Sequence, residues 1–184
     1  MKQEKRKSSF HDHEHALEFD QRAGRSDVRA KLGLHLLDAL QLMGGEWVLD
    51  IATGTGRFAK PVSEGLKGGK VIGLDQALAM LSVAHDMASR ESLSGYLQAA
   101  GDAGVLPFRS GIFDRGFVAF SLHHFQDPPL AVREARRVLK TGGRLAVLDP
   151  VVVKACDSLD QSIHEIVNRV FVRSHGGVFR FHSA

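Results

Sequence analysis

Three aspartates recur at comparable places, each beside a short apolar run. Asp50 lies within Trp47-Val48-Leu49-Asp50-Ile51, Asp75 closes Lys70-Val71-Ile72-Gly73-Leu74-Asp75, and Asp102 follows a run that starts at Tyr96. Between the first two stands Gly54-Thr55-Gly56-Arg57-Phe58-Ala59, a G-x-G-x-x-G/A pattern whose glycines let the chain turn tightly and approach a ligand closely. Carboxylates accept hydrogen bonds from hydroxyl and amino groups and attract cations. Acids grouped around such a turn therefore suit a nucleoside or a cationic ligand. His123 and His124, after a fourth apolar run, add groups that can take a proton near neutral pH. His11, His13 and His15 alternate with acids, but alternation brings three imidazoles together only on a strand. The following Ala16, Leu17 and Phe19 indicate a helix or an arm, so no metal site is expected there.

These residues need elements to position them. Leu32, Leu36, Leu37, Leu40 and Met43 have helical spacing and stop at Gly44-Gly45. A strand at Trp47–Ile51 leads through the glycine turn into a helix carrying Phe58, Ala59, Val62 and Leu66, in which Pro61 is expected to cause a kink. The alternation repeats with a strand at Lys70–Asp75 and a helix bearing Ala77, Leu81, Ala84 and Ala88. Strands at Tyr96–Ala99 and Phe117–Phe120 come next, then a helix from about Pro129 to Lys140 ending at Thr141-Gly142-Gly143, and a strand at Arg144–Leu148. Strands alternating with helices of this length predict an open, doubly wound α/β fold, a mainly parallel sheet covered on both faces. Ligands bind such sheets outside the carboxyl ends of the strands, where the acids and the glycine turn gather.

Composition sets the outer bounds. The 184 residues amount to one domain, with 43% hydrophobic and 24% charged residues, so a conventional core is available. A net charge of +3 gives no basic field for nucleic acid. The single Cys156 permits neither an intrachain disulfide nor a cysteine zinc cluster, consistent with a cytoplasmic setting. No apolar run approaches the roughly 18 residues of a membrane span, and the start lacks a signal peptide's apolar core.

A dinucleotide would bring a doubly charged pyrophosphate to the glycine turn. Two like charges ~4 Å apart repel by about 4 kcal/mol at an effective dielectric near 20, so a carboxylate at Asp50 disfavours that ligand. S-adenosylmethionine has no phosphate, carries a sulfonium and an ammonium, and needs acceptors for its ribose diol and adenine amino group. At this point the residues resemble a family. Val48-Leu49-Asp50-Ile51-Ala52-Thr53-Gly54-Thr55-Gly56 looks like the first motif of class I S-adenosylmethionine-dependent methyltransferases, whose fold is Rossmann-like. The wording is closest to the ubiquinone/menaquinone biosynthesis C-methyltransferase branch, with Ala52 where many relatives have glycine. Gly73-Leu74-Asp75-Gln76, Gly101-Asp102-Ala103, Ser121-Leu122-His123-His124-Phe125 and Val138-Leu139-Lys140-Thr141-Gly142-Gly143 resemble later motifs, so the likeness runs over about residues 45–150.

The resemblance implies S-adenosylmethionine as cofactor. Asp50, Ala52 and Gly54 would line its methionine part and Gly56 would permit close helix packing. Asp75, with Gln76 beside it, would take the ribose, Asp102 and Ala103 the adenine, and Ser121 would lie near the sulfonium. His123 or His124 would act as base where the acceptor must lose a proton. Methyl transfer to a small molecule, quinone-like or otherwise aromatic, is the expected activity. A nicotinamide-dependent oxidoreductase and a non-catalytic cofactor-binding domain are the alternatives.

Asp127-Pro128-Pro129-Leu130 resembles a motif of amino-group methyltransferases but lacks its aromatic, and is expected to start a helix. Arg133, Arg136 and Arg137 are expected on a solvated face. Residues 1–30 are expected to form an arm or lid, 31–150 the cofactor-binding core, and 151–184 an extension shorter than the family's usual edge. That extension includes a helical stretch at Leu159–Val172 and a strand at Val178–Phe181. An incomplete edge makes a homodimer a natural expectation.

Overall fold

The computed structural model describes residues 12–23, 27–149 and 178–180. Cys156, His11 and the 159–172 stretch lie outside the described residues. In chain order the elements are α1 (His13–Ala23), α2 (Asp27–Leu40), β1 (Trp47–Ile51), α3 (Ala59–Gly65), β2 (Lys70–Asp75) and α4 (Leu78–Arg90). Then come β3 (Tyr96–Ala100), β4 (Phe113–Ala119), a single 3-10 turn (Leu122–His124), α5 (Pro128–Val138), β5 (Leu139–Leu148) and β6 (Val178–Arg180). The sheet order is β3-β2-β1-β4-β5-β6, with β6 antiparallel to β5 and every other pairing parallel. Strand order reverses between β1 and β4, so the crevice at that reversal opens beside the glycine turn.

Side-chain alternation along the strands feeds two cores. Val48, Val71, Phe117 and Ala146 face one side and pack with Leu32, Leu36 and Leu40 of α2, Val62 of α3 and Met87 of α4. Leu49, Ile51, Ile72 and Leu74 face the other and pack with Ala135 and Val138 of α5 and with Leu106 and Phe113. Two arginines fix α2 to the sheet by capping its C-terminal carbonyls. Arg115 Nε donates to Leu40 O at 2.8 Å and Arg144 Nη1 to Ala39 O at 3.0 Å.

Some boundaries differ from the expected ones for physical reasons. Met43 is 89% exposed because α2 stops at Leu40, and Glu46 accepts from the Met43 and Gly44 amides to hold the turn into β1. Pro61 falls in the first turn of α3, where its missing N–H costs no helical hydrogen bond, so no kink is required. Helix α5 ends at Val138, and Leu139 already pairs with Phe113; the ladder resumes at Arg115↔Arg144 after an irregularity that absorbs Gly142 and Gly143. Strand β4 starts four residues before the expected Phe117.

Helix α1 rests on α4 through Ala16, which is packed with Ala77, Met80 and Val83. A bidentate ion pair ties it to the glycine turn: Arg57 Nε and Nη2 each donate to the Asp20 carboxylate at 2.6 Å, and Nη2 also reaches Asp20 O at 3.1 Å. Asp20 is largely buried, so the pair is screened less than an open surface bridge. Asp20→Ala is expected to loosen α1 by about 1–2 kcal/mol. Hydrogen exchange should show faster exchange over residues 13–23 and little change in β1.

Candidate active site

The glycine turn is supported from below by a buried polar chain. Asp50 is only 1% exposed, with Gly73 beside it on β2 and Phe117 beside it on β4. Thr53 Oγ1 donates to Asp50 Oδ2 at 2.6 Å and lies 2.8 Å from Tyr96 Oη. With the threonine proton committed to Asp50, Tyr96 is the donor to Thr53. Burial, followed by the neighbouring Asp50, pushes the tyrosine hydroxyl well above its ordinary pKa. Two glycines make room for this chain. A Cβ on Gly73 would meet Tyr96 Oη at 2.6 Å and Thr53 Oγ1 at 2.8 Å, and one on Gly56, where φ is +79°, would meet Met87 Cε at 2.7 Å. Gly56 therefore serves close packing, against the β3 tyrosine as well as α4.

This geometry corrects the expected role of Asp50. Its carboxyl lies beneath the turn and not at its mouth, and desolvation raises its pKa to about 8, the Thr53 bond opposing and the Asp75 charge adding to the rise. A mostly protonated acid at neutral pH cannot supply the repulsion that was to turn away a phosphate. That discrimination comes from Asp75. Its Oδ2 accepts from Gly54 N at 2.9 Å and its Oδ1 from Ala77 N at 2.9 Å. The amides of Thr53 and Gly56 are spent on Leu74 O and Thr53 O. Three loop donors are thus already bound, one of them to a carboxylate. A carboxylate offers about four lone-pair sites, so Asp75 can hold the loop and also accept from a diol. The donor set fits a phosphate-free nucleoside with a cationic end.

The remaining candidates line the same strand ends. Ala52 holds φ +60°, a left-handed conformation that costs a non-glycine residue roughly 1 kcal/mol. Ser121 Oγ donates to Ala52 O at 3.3 Å and Ala119 O at 3.1 Å, joining the end of β4 to the glycine turn. Gln76 is exposed beside Asp75. Asp102 Oδ1 accepts from Gly104 N at 2.7 Å in a tight turn, with Ala103 against the second core. Glu134 and Arg137 brace the next loop: Glu134 accepts from Leu106 N, and Arg137 donates to Leu106 O and Phe108 O. Arg137 is thus a loop brace and not part of a solvated face. Asp127 caps α5 by accepting from Leu130 N, so the Asp-Pro-Pro run does start a helix. Among the described residues, no cluster of His, Cys, Asp or Glu could hold a metal.

His123 and His124 occupy the 3-10 turn after β4, their ring centroids 3.9 Å apart. His123 meets a residue that sequence reasoning missed, Asp149, just past β5, with Nδ1 2.7 Å from Oδ1. Thr53 and Tyr96 were missed as well. The signals were faint: the chain's only tyrosine at a strand start, a threonine inside the glycine motif, and an acid at a strand end. Asp50→Asn tests the buried chain. A raised native pKa means the folded state holds a proton that the unfolded state has lost, so Asp50 costs stability as pH rises from about 4 to about 8. The asparagine variant should gain on wild type over that interval by on the order of a few kcal/mol in urea unfolding.

Comparison with known proteins shows the family and the fold. Residues 49–147 match a family described as a methyltransferase domain. The demethylmenaquinone methyltransferase of Thermus thermophilus is 43% identical over 103 residues, 55% of this chain and 46% of that protein. A ubiquinone/menaquinone biosynthesis C-methyltransferase of Paracoccus denitrificans is 35% identical over 141 residues, 71% of this chain and 56% of that protein. The chain spans about half the length of the curated relatives it matches. A structure titled as a putative S-adenosyl-L-methionine-dependent methyltransferase from Methanococcus maripaludis superposes with a TM-score of 0.70 at 17% identity, over 89% of this chain and 70% of that one, which shows the shared fold. With more than half of its length matched, the chain belongs to the methyltransferase domain family.

Proposed function

We propose that the protein binds S-adenosylmethionine at the carboxyl ends of β1 to β4 and transfers its methyl group to a small aromatic acceptor of the quinone type. The observation that carries this reading is the engagement of Gly54 N by Asp75, which fills the glycine turn with negative charge. Asp75 and Gln76 would hold the ribose, Asp102 and Ala103 the adenine, and Ala52, Gly54 and Ser121 the methionine end. Asp50 and Gly56 support the turn from within. The acceptor class follows from the quinone methyltransferase names of the relatives.

The cofactor supplies an electrophilic methyl on a sulfonium, so no protein nucleophile is needed, and holding the reactants at ~3–3.5 Å supplies much of the rate. His123 and His124 stand on the acceptor side as candidate bases. Helix α1 would act as the lid that excludes water, seated by Arg57. The proposal places the protein in the cytoplasm, and its exposed Leu34 and Met43 give a homodimer apolar surface to bury.

Calorimetry with S-adenosylhomocysteine and with NAD tests the cofactor. Binding of the first and none of the second is expected, and the reverse refutes the reading. Asp75→Ala should weaken S-adenosylhomocysteine binding at least tenfold while His124→Ala leaves it within about twofold; equal losses would overturn the roles assigned here.

A further inference from the structure

The two adjacent histidines are held very differently. One carboxylate grips His123 twice: Asp149 Oδ2 accepts from the His123 backbone N–H at 2.8 Å, and Asp149 Oδ1 lies 2.7 Å from its ring Nδ1. The tilted ring of His124 covers one side, which restricts rotation further. Asp149 is mostly buried, its side chain 14% exposed, whereas the His123 side chain is 41% exposed. The carboxylate is thus an inner anchor and the imidazole faces outward.

Chemistry follows from this placement. A nitrogen that faces a carboxylate carries the ring proton, which leaves Nε2 of the neutral ring with its lone pair directed away. The same carboxylate stabilises the imidazolium that forms when Nε2 takes a proton. The pair also sits where transfer would occur. Ala119 of β4 pairs with Leu148 of β5, and Phe120 N donates to Leu148 O, so the ends of both strands lie together. Ser121, two residues before His123, binds the glycine turn through Ala52 O.

We infer that Asp149 is a positioning residue that makes His123 Nε2 the base for a ring hydroxyl on the reduced, quinone-type acceptor of the proposed function, with His124 as a packing neighbour. This rests on the methyl-transfer reading above. An amine acceptor needs no base before transfer, since it can lose its proton afterwards. A ring carbon is a weak nucleophile until the adjacent hydroxyl gives up its proton. His123 Nε2 takes that proton, the O–H electron pair is delocalised onto the ring carbon, and that carbon forms the bond to methyl. The pair of the breaking carbon–sulfur bond remains on sulfur as a neutral thioether. The ring then releases its C–H proton to solvent and regains aromaticity as a phenolate, which takes back the proton held on His123, so one methyl is gained and one proton lost overall.

The test combines nitrogen-15 NMR of the histidine rings with kinetics on the full chain. Wild-type protein, at a pH where the ring is neutral, should show His123 as the Nδ1–H tautomer, and Asp149→Ala should shift it toward Nε2–H. With 1,4-naphthohydroquinone as probe acceptor, Asp149→Ala and His123→Ala should each lower kcat about 100-fold, with S-adenosylhomocysteine affinity and probe KM within about twofold of wild type. Asp149→Glu, which keeps the carboxylate, should recover part of the loss. The 1,4-dimethoxy analogue, which has no hydroxyl to ionise, should not be methylated.

An Nε2–H tautomer in wild type overturns the inference without any variant having to fold. So does equal transfer to the dimethoxy analogue, or no transfer to the hydroquinone by protein that binds S-adenosylhomocysteine. Failure to bind S-adenosylhomocysteine at all removes the methyl-transfer reading itself and is read separately by calorimetry.

Discussion

The arrangement depends on a carboxylate placed where a nucleotide-binding turn would otherwise present bare amides. Asp75 bridges Gly54 N and Ala77 N, and so joins the turn after β1 to the turn after β2. A glycine turn at the end of a central strand is ordinarily an anion site because its N–H groups point at the ligand. With the amides of Thr53, Gly54 and Gly56 engaged, the same backbone path becomes better suited to hydroxyls and positive charge.

The turn is held from below by polar groups as firmly as by apolar ones. Tyr96, Thr53 and Asp50 form a chain in which both hydroxyl protons have an acceptor, which is the condition for burying such groups without a large penalty. Gly56 and Gly73 look like separate features of the sequence, one in a motif and one in a strand. In the fold they bound the same tyrosine hydroxyl, and a side chain at either would collide with it. Their spacing from Asp50 reflects the space this chain needs.

The alternation of strands and helices was legible because apolar periodicity reports burial, and burial is what a doubly wound sheet imposes on Val48, Leu49, Val71 and Ile72. Asp75 was legible too, since an acid after an apolar run beside a glycine turn has few other uses. The depth of Asp50 was not, because a sequence does not say which face of a central strand an acid occupies or what lies over it. Asp149 was missed for a related reason. Its meaning depends on β5 lying next to β4, a neighbour relation set by the whole sheet and 26 residues away from His123 along the chain. Arg137 looked like one charge in a run of three, and only the fold brings Leu106 and Phe108 within its reach.

Arg57 belongs to two structures at once: it extends the glycine turn, and its guanidinium is committed to Asp20 on α1. Linkage makes such sharing reciprocal. Whatever free energy a bound molecule adds to the seating of the first helix, that helix returns to the bound molecule in equal measure. A clipped or shortened N-terminus would then register as a loss of affinity at the crevice, and a titration could mistake a damaged lid for a damaged pocket.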